Sequence, residues 1–328
     1  MKNLRSNAIP VIFDTDMDCD CDDVGALAIL HALMDMGEAN ILGVICDVPL
    51  EVSAKCALVI NDYYGRSEIP IGLADDKEYK SGEKYKAYKD HRKKLPLTND
   101  FYTEEVVKQF YDKEHDEKKI WDAVSLYRCL LARAEEKSVV IIAVGLLTAL
   151  NDLLHSKGDN FSNLTGKELI KQKVKKLITM GMGRFPSCMA EFNWLFDWDA
   201  ARNVINSWPT ELVVSTHGNQ FLTGKKLSSQ TPETNPVRKS YEVYTQGKHR
   251  GNYSWDLLAA LYAVRGADPY QEEINGHRLI LEEELGKNHW IPDKTDKPPH
   301  VYLQLKGPRK KLRDELENLM IKPPAKKK

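Results

Sequence analysis

Residues 9–33 read I-P-V-I-F-D-T-D-M-D-C-D-C-D-D-V-G-A-L-A-I-L-H-A-L, and the fold is decided in that stretch. A short apolar run, Ile9 to Phe13, ends in a carboxylate cluster, and Asp22 to Met36 then shows helical spacing, with Val24, Leu27, Ala28 and Leu30 on one side. This predicts a strand, a turn and a helix. The turn carries Asp14, Asp16, Asp18, Asp20, Asp22 and Asp23, six aspartates in ten positions. Like charges this close raise one another's pKa and repel unless a cation neutralises them, and a hard divalent ion with oxygen ligands is the natural solution. A solvated acidic loop is the plainer alternative. Placement argues against it, because ligands of parallel α/β sheets bind beyond the carboxyl ends of strands, where this loop lies.

Outward from this stretch the same rhythm repeats. Asn40 to Cys46 reads as a second buried strand, Leu50 to Tyr64 as a helix and Ile69 to Leu73 as a third strand, which is the βαβαβ order of a parallel sheet. Asp122 to Glu136 is an amphipathic helix, Ser138 to Val144 a nearly all-apolar strand, and Thr148 to Leu154 restarts a helix. Further strands are expected at Lys176 to Met180 and Glu211 to Ser215, with a helix from Asp199 to Ser207 that stops before Trp208-Pro209. Asp256 to Val264 is a strongly apolar helix, and Arg278 to Leu305 holds short strand-like stretches. The expected fold is α/β, an open, mainly parallel sheet with flanking helices, formed by residues 1–328 as one domain. Residues 74–118, rich in Lys, Asp, Glu and Tyr without clear periodicity, read as a surface insertion or lid, and the basic tail 322–328 as frayed.

Composition bounds the function. Lys+Arg 47 against Asp+Glu 48 leaves a net charge of −1, so no global field attracts a polyanion and nucleic acid is not expected as the ligand. Six cysteines are too few for a disulfide scaffold, and Cys19 and Cys21, two apart, have no zinc-site spacing. No window approaches the roughly 20 apolar residues of a membrane span, and the N-terminal residues lack a signal peptide's apolar core. A cytoplasmic protein with reduced thiols and no membrane partner is the expectation. His31, in an apolar helix, reads as a packed, hydrogen-bonded core residue, and Trp194, Trp198 and Trp208 as packing residues.

Three uses of the acidic loop compete. An EF-hand wants Glu at its twelfth position, and counting from Asp14, Asp16 or Asp18 gives Gly25, Leu27 or Ile29, so that reading fails. A phosphatase of the haloacid dehalogenase type wants an apolar strand followed by D-x-D. Ile12 to Asp16 satisfies this, but no convincing lysine or late acidic pair follows. The third reading is the strongest: residues 11–33 resemble the N-terminal signature of the nucleoside hydrolase family, in a branch with two more residues between its D-T-D and D-D elements. Ala143 to Leu150 (AVGLLTAL) resembles a second family segment, Ala190 to Asn193 (AEFN) its substrate-binding motif, and Ser254 to Val264 (SWDLLAALYAV) its last acidic helix start. The four motifs occur in the family's order between residues 9 and 266.

The resemblance implies a nucleoside hydrolase-like (Rossmann-like) fold, a calcium ion in a deep pocket and hydrolysis of a ribonucleoside's N-glycosidic bond. Carried over, the metal ligands are Asp16, Asp23, the backbone oxygen of Thr148, and Asp256. Asp22 and Asn193 grip the ribose hydroxyls, Glu191 holds the 5′ end, and Asp47 stands where the family usually has an asparagine near the sugar. Asp16 is the candidate general base on metal-bound water, beneath an oxocarbenium-like ribosyl cation that the carboxylates stabilise. The implied partner is a small riboside, in purine or pyrimidine salvage, and the implied assembly a homodimer or homotetramer. Three residues depart from the family: Asp18 for Gly, Phe185 for Asn, and Trp255 where many members have His. Trp255 cannot donate a proton, so leaving-group help would come from stacking on Trp255 or Phe185, or from an acid such as His217 or His249. Trp255 as a core residue is the plainer reading. A metal-dependent riboside-binding protein without catalysis is the alternative to an enzyme.

Overall fold

The computed structural model describes residues 8–75, 86, 90, 101–112, 120–182 and 184–325. Its first half runs β1 (Ile9–Thr15), α1 (Asp22–Asp35), β2 (Ala39–Cys46), α2 (Glu51–Tyr63), β3 (Ile71–Leu73), α3 (Tyr102–Phe110), β4 (Ile120–Asp122), α4 (Ala123–Arg133), β5 (Val139–Ala143) and α5 (Thr148–His155). There follow α6 (Gly166–Lys173), β6 (Val174–Met180), β7 (Ser187–Met189), α7 (Phe192–Phe196), α8 (Trp198–Ser207) and β8 (Glu211–Ser215). The last section holds α9 (Pro236–Tyr244), α10 (Trp255–Arg265), β9 (Gln271–Leu281), β10 (Lys287–Pro292), β11 (His300–Leu305) and α11 (Arg309–Met320).

The described strands form one 11-stranded sheet in the order β4-β3-β2-β1-β5-β6-β8-β11-β9-β10-β7. Every pairing from β4 to β11 is parallel, and β9, β10 and β7 add an antiparallel margin. From β1 the chain first builds outward through β2, β3 and β4, then returns to place β5 on the other side of β1. The order therefore reverses at β1/β5, and a crevice opens there beyond the strand ends, where α/β sheets bind ligands. Registry brings the loops together: Asp14 sits opposite Ala143, and the Val144 N–H donates to the Asp14 carbonyl at 2.9 Å.

β1 alternates between the two faces, Val11 and Phe13 packing in one core cluster and Ile12 in the other. All three are fully buried, which stabilises the strand by about 1.5–3 kcal/mol per side chain. α1 differs from the one-sided helix read from its spacing, since every residue from Asp22 to Leu33 is buried. The reason is tertiary: α10 and α11 pack on it as well as the sheet. His31 is the core histidine expected, its Nε2 2.8 Å from Asn61 Oδ1 and its ring stacked on Tyr64, and burial lowers its pKa to about 3, so it is neutral.

Most of the 74–118 segment, and residues 326–328 of the tail, lie outside the described residues. Within the segment, the expectation of no clear periodicity does not hold for α3, which buries Tyr102, Thr103 and Val106 and packs between α2 and α9. Its apolar positions are spaced for a helix, but polar and aromatic neighbours hid them. α6, α9 and α11 were likewise not evident, because charged residues dilute their apolar faces. No described helix is long and apolar enough to cross a membrane.

Candidate active site

The acidic loop between β1 and α1 closes over the ends of β1 and β5, where backbone approaches leave no room for side chains. A Cβ on Gly145 would stand 2.4 Å from the Asp16 backbone nitrogen and 2.6 Å from Asp47 Oδ2, so only glycine lets the β5 loop reach the β1 loop. Gly145→Ala should cost about 1–3 kcal/mol, the usual cost of overpacking, read as a fall in Tm. An unchanged Tm would show that the two loops can separate freely.

The end of β1 and neighbouring helices hold these carboxylates. Thr15 Oγ1 donates to Asp23, Thr103 Oγ1 of α3 donates to Asp18, and the Tyr127 hydroxyl of α4 donates to Asp14. The start of α10 meets Asp22, whose Oδ2 accepts the Asp256 N–H at 3.1 Å and whose Oδ1 accepts Asn252 Nδ2 at 3.4 Å. These contacts gather Asp20, Asp22, Asp23 and Asp256 so that one carboxylate oxygen of each lies within 4.8 Å of the others. Asp23 Oδ2 is buried without a hydrogen-bond partner.

A pocket opens above this group, lined by Asp16, Asp20, Asp22, Glu191, Asn193 and Asp256 together with Trp255, Phe192, Cys19, Val144 and Met180. Met180 at the end of β6 and the start of the short helix α7 supply its other wall. Glu191 caps α7, accepting the Asn193 N–H at 3.4 Å, and Asn193 Nδ2 donates to the Val144 carbonyl at 2.5 Å. Burial, then the charges of Asp23, Asp20 and Glu191, push the Asp16 pKa well above the usual carboxylate range. Burial is also the first cause for Asp22, Asp23 and Asp256, each raised further by its acidic neighbours, and it lifts Glu191 to about 7. Deeper in, Asp14 and Asp47 face one another with their carboxyl groups wholly buried. Burial raises Asp14 to about 6 and Asp47 well above its ordinary value.

Of the residues singled out in the sequence, Asp16, Asp22, Glu191, Asn193, Trp255 and Asp256 meet in this pocket, with Asp23 beneath it. Thr148 opens α5 at the same end of the sheet, its Oγ1 donating to Asp197 Oδ2 at 2.6 Å. Asp47 lies below the lining, and Phe185 is placed elsewhere, its ring 5.1 Å from His277, 5.7 Å from Trp290 and 5.5 Å from Tyr302. His217 bonds the Tyr302 hydroxyl at 3.0 Å, and His249 is exposed; neither lines the pocket. The Trp255 ring is half-buried at the rim, 4.9 Å from the exposed ring of Tyr253. The acidic loop's crowding already contained Asp20, whereas Asn252, Thr103 and Tyr127 had no local signal and are found only through the fold. No lysine lines the pocket among the described residues, which leaves the phosphatase reading without its cation.

No curated protein matches the sequence. Among solved structures, a plant nucleoside hydrolase, the PpNRh1 enzyme, superposes with a TM-score of 0.67 at 16% identity, covering 96% of this chain and 99% of that one. The inosine-uridine preferring nucleoside hydrolase from Bacillus anthracis gives 0.63 at 17% identity, covering 95% and 99%. The purine-preferring ribonucleoside hydrolase from Gardnerella vaginalis gives 0.66 at 17%, with the same coverage. At such identities these likenesses establish the fold. The family itself is established in the sequence, where the model of the inosine-uridine preferring nucleoside hydrolases matches residues 11–298, from the strand that delivers the acidic loop to beyond the helix that returns Asp256 to it. The chain therefore belongs to the inosine-uridine preferring nucleoside hydrolase family, enzymes that cleave N-glycosyl bonds.

Proposed function

We propose that this chain hydrolyses the N-glycosidic bond of ribonucleosides in a calcium-dependent reaction, releasing ribose and a free base. The observation that carries the reading is the pocket at the strand-order reversal, with four carboxylates converging at its floor and Glu191 and Asn193 on its wall. The donor set suits calcium. Its atoms are hard oxygens, Asp23 Oδ2 lacks any other partner, and no cationic side chain lines the described pocket. Asp20, Asp22, Asp23 and Asp256 are the carboxylates grouped to hold the ion, with Asp16 and the Thr148 carbonyl as the further ligands implied by resemblance. Bound there, calcium would supply Lewis acidity toward water and ligation of vicinal ribose hydroxyls.

The chain's own groups divide the remaining work. Asp16, buried and facing the pocket, takes the proton of the attacking water, which requires its ionised form. Asp22 and Asn193 orient the ribose hydroxyls and Glu191 its 5′ end, while the carboxylates under the ring stabilise positive charge developing at the anomeric carbon. Asp47 lies beneath the sugar site as a supporting group. Trp255 stacks on the base, which orients the leaving group without protonating it. A cytoplasmic homo-oligomer serving purine or pyrimidine salvage completes the reading.

The test is a panel of purine and pyrimidine ribonucleosides assayed for reducing sugar with calcium present and after chelation. Ribose release that disappears on chelation is expected. No release from any member, with calcium shown to be bound, would leave a riboside-binding protein, the reading favoured by a rim tryptophan in place of a proton donor. Trp255→Ala should lower kcat about tenfold, and more than it raises KM, because stacking that helps only as the bond breaks appears in the rate constant. Unchanged kcat with intact calcium binding would make Trp255 a packing residue.

A further inference from the structure

Resting on the calcium-dependent hydrolase reading, we infer that Thr103 of α3 is a positioning residue for the acidic loop: through Asp18 it fixes the loop so that Asp16 and Asp20, two residues to either side, face the pocket. The first observation is the contact itself. The loop between β1 and α1 runs from residue 16 to residue 21, and near its middle Asp18, 1% exposed, accepts a hydrogen bond from the fully buried Thr103 Oγ1, 85 positions away in sequence. Within the loop, the Cys19 N–H reaches the Asp16 carbonyl at 3.4 Å, long for a hydrogen bond, so this internal bond holds the loop weakly. Asp18 belongs neither to the converging group of Asp20, Asp22, Asp23 and Asp256 nor to the pocket lining. Its carboxyl tethers the loop and leaves the ion to its neighbours.

The second observation is the setting of Thr103. Phe101 packs, with the pocket-lining Phe192, against the small apolar cluster that holds Cys19, itself a lining residue. Tyr102 is fully buried, its ring 6.4 Å from that of Tyr244 of α9 and nearly perpendicular to it. α3 is in turn packed between α2 and α9. Three consecutive residues therefore fix the start of α3 against the loop and its surroundings, which gives the Thr103 hydroxyl a rigid base.

In a place closed to water, a carboxyl that loses its donor must find another partner, and the backbone that carries it moves. Displacing residue 18 displaces Asp20, a member of the converging group, and Asp16, the base. Groups that orient a metal site from behind typically account for about 10–100-fold in metal affinity or activity. Valine in place of Thr103 keeps the shape and removes the donor, whereas serine keeps the hydroxyl.

The experiment titrates calcium calorimetrically into the chelated full chain and its variants, beside kcat at saturating calcium. Thr103→Val should raise the calcium Kd about tenfold and lower kcat about tenfold, and Thr103→Ser should return both to within about twofold of wild type. Val106, fully buried on the same helix, is the control: Val106→Ala should lower the Tm of the metal-free protein yet leave the calcium Kd within about twofold. Asp18→Ala should reproduce the Thr103→Val loss of affinity, and the double variant should bind calcium no more weakly than either single one, because one interaction can be removed only once. Wild-type Kd and kcat in Thr103→Val, additive losses in the double variant, or an equal rise in Kd for Val106→Ala would each overturn the inference and leave the hydrolase reading intact. If calcium binds but no riboside is cleaved, the hydrolase reading falls and the Kd series alone decides the role of Thr103. A wild-type chain that binds no calcium would remove both.

Discussion

Asp16→Asn should lower kcat of the calcium-loaded enzyme by about 10²–10⁴-fold, the range lost with a positioned general base, while most of the calcium-induced rise in Tm remains. The separation follows from position. Asp16 faces the pocket beside the group of Asp20, Asp22, Asp23 and Asp256, whose carboxylate oxygens converge within 4.8 Å, so four carboxylates and the one oxygen left at position 16 remain to hold the ion. Asparagine keeps the shape and one oxygen but cannot accept the water's proton. Asp256→Ala should instead abolish both turnover and the calcium response, because stabilisation by an ion that binds only the folded chain disappears with its site. Melting curves with and without calcium, measured beside kcat for the two variants, decide the matter. Near wild-type turnover in Asp16→Asn would remove it as the base, and a calcium shift surviving Asp256→Ala would place the ion elsewhere.

The metal-free chain should lose stability as pH rises from about 4.5 to 7, and calcium should restore it. Glu191 ordinarily titrates at 4.5, and burial raises it to about 7 in the folded chain; Asp14 moves from 3.8 to about 6. A carboxyl group with a raised folded-state pKa favours folding only while protonated. Its contribution is complete below the unfolded pKa and is lost as pH climbs through the folded one. For Glu191 the shift corresponds to a loss on the order of 3 kcal/mol over that window, in a region crowded with further raised carboxyls. Cation binding favours the ionised forms, so the calcium-induced Tm increase should grow with pH over the same interval. Chelated protein whose Tm rises or stays level from pH 4.5 to 7 would contradict the buried acidic cluster as the origin of the metal requirement.

Much of the site could be read in one dimension because the strand, the acidic loop and the helix are contiguous. Apolar β1 followed by alternating aspartates and the apolar run of α1 states both an element order and an unneutralised charge, and neither depends on distant residues. The same holds for β2, β5, β6 and β8, whose buried runs of branched side chains are local signals. Elements with mixed surfaces were less legible. The charged face of α11 masks Leu312, Leu316, Leu319 and Met320, which α1 needs as cover.

Sequence alone therefore determined that this chain is a parallel α/β protein with a cation-seeking loop after its first strand, since local hydrophobic runs set the elements and crowded carboxylates demand a counter-charge. Only tertiary structure decided which carboxylates share that charge. Asp20 joins Asp22, Asp23 and Asp256, while Asp18 is tied to Thr103 of α3 and Asp14 to Tyr127 of α4. Likewise, Phe185 belongs to the aromatic cluster of the antiparallel margin, and Trp255 to the pocket, because Asp22 and the tight Gly218 approach hold the start of α10 in place. Partners 85 to 234 residues apart leave no mark on local pattern; they meet because a sheet that reverses its strand order at β1 and β5 brings distant loops to one end.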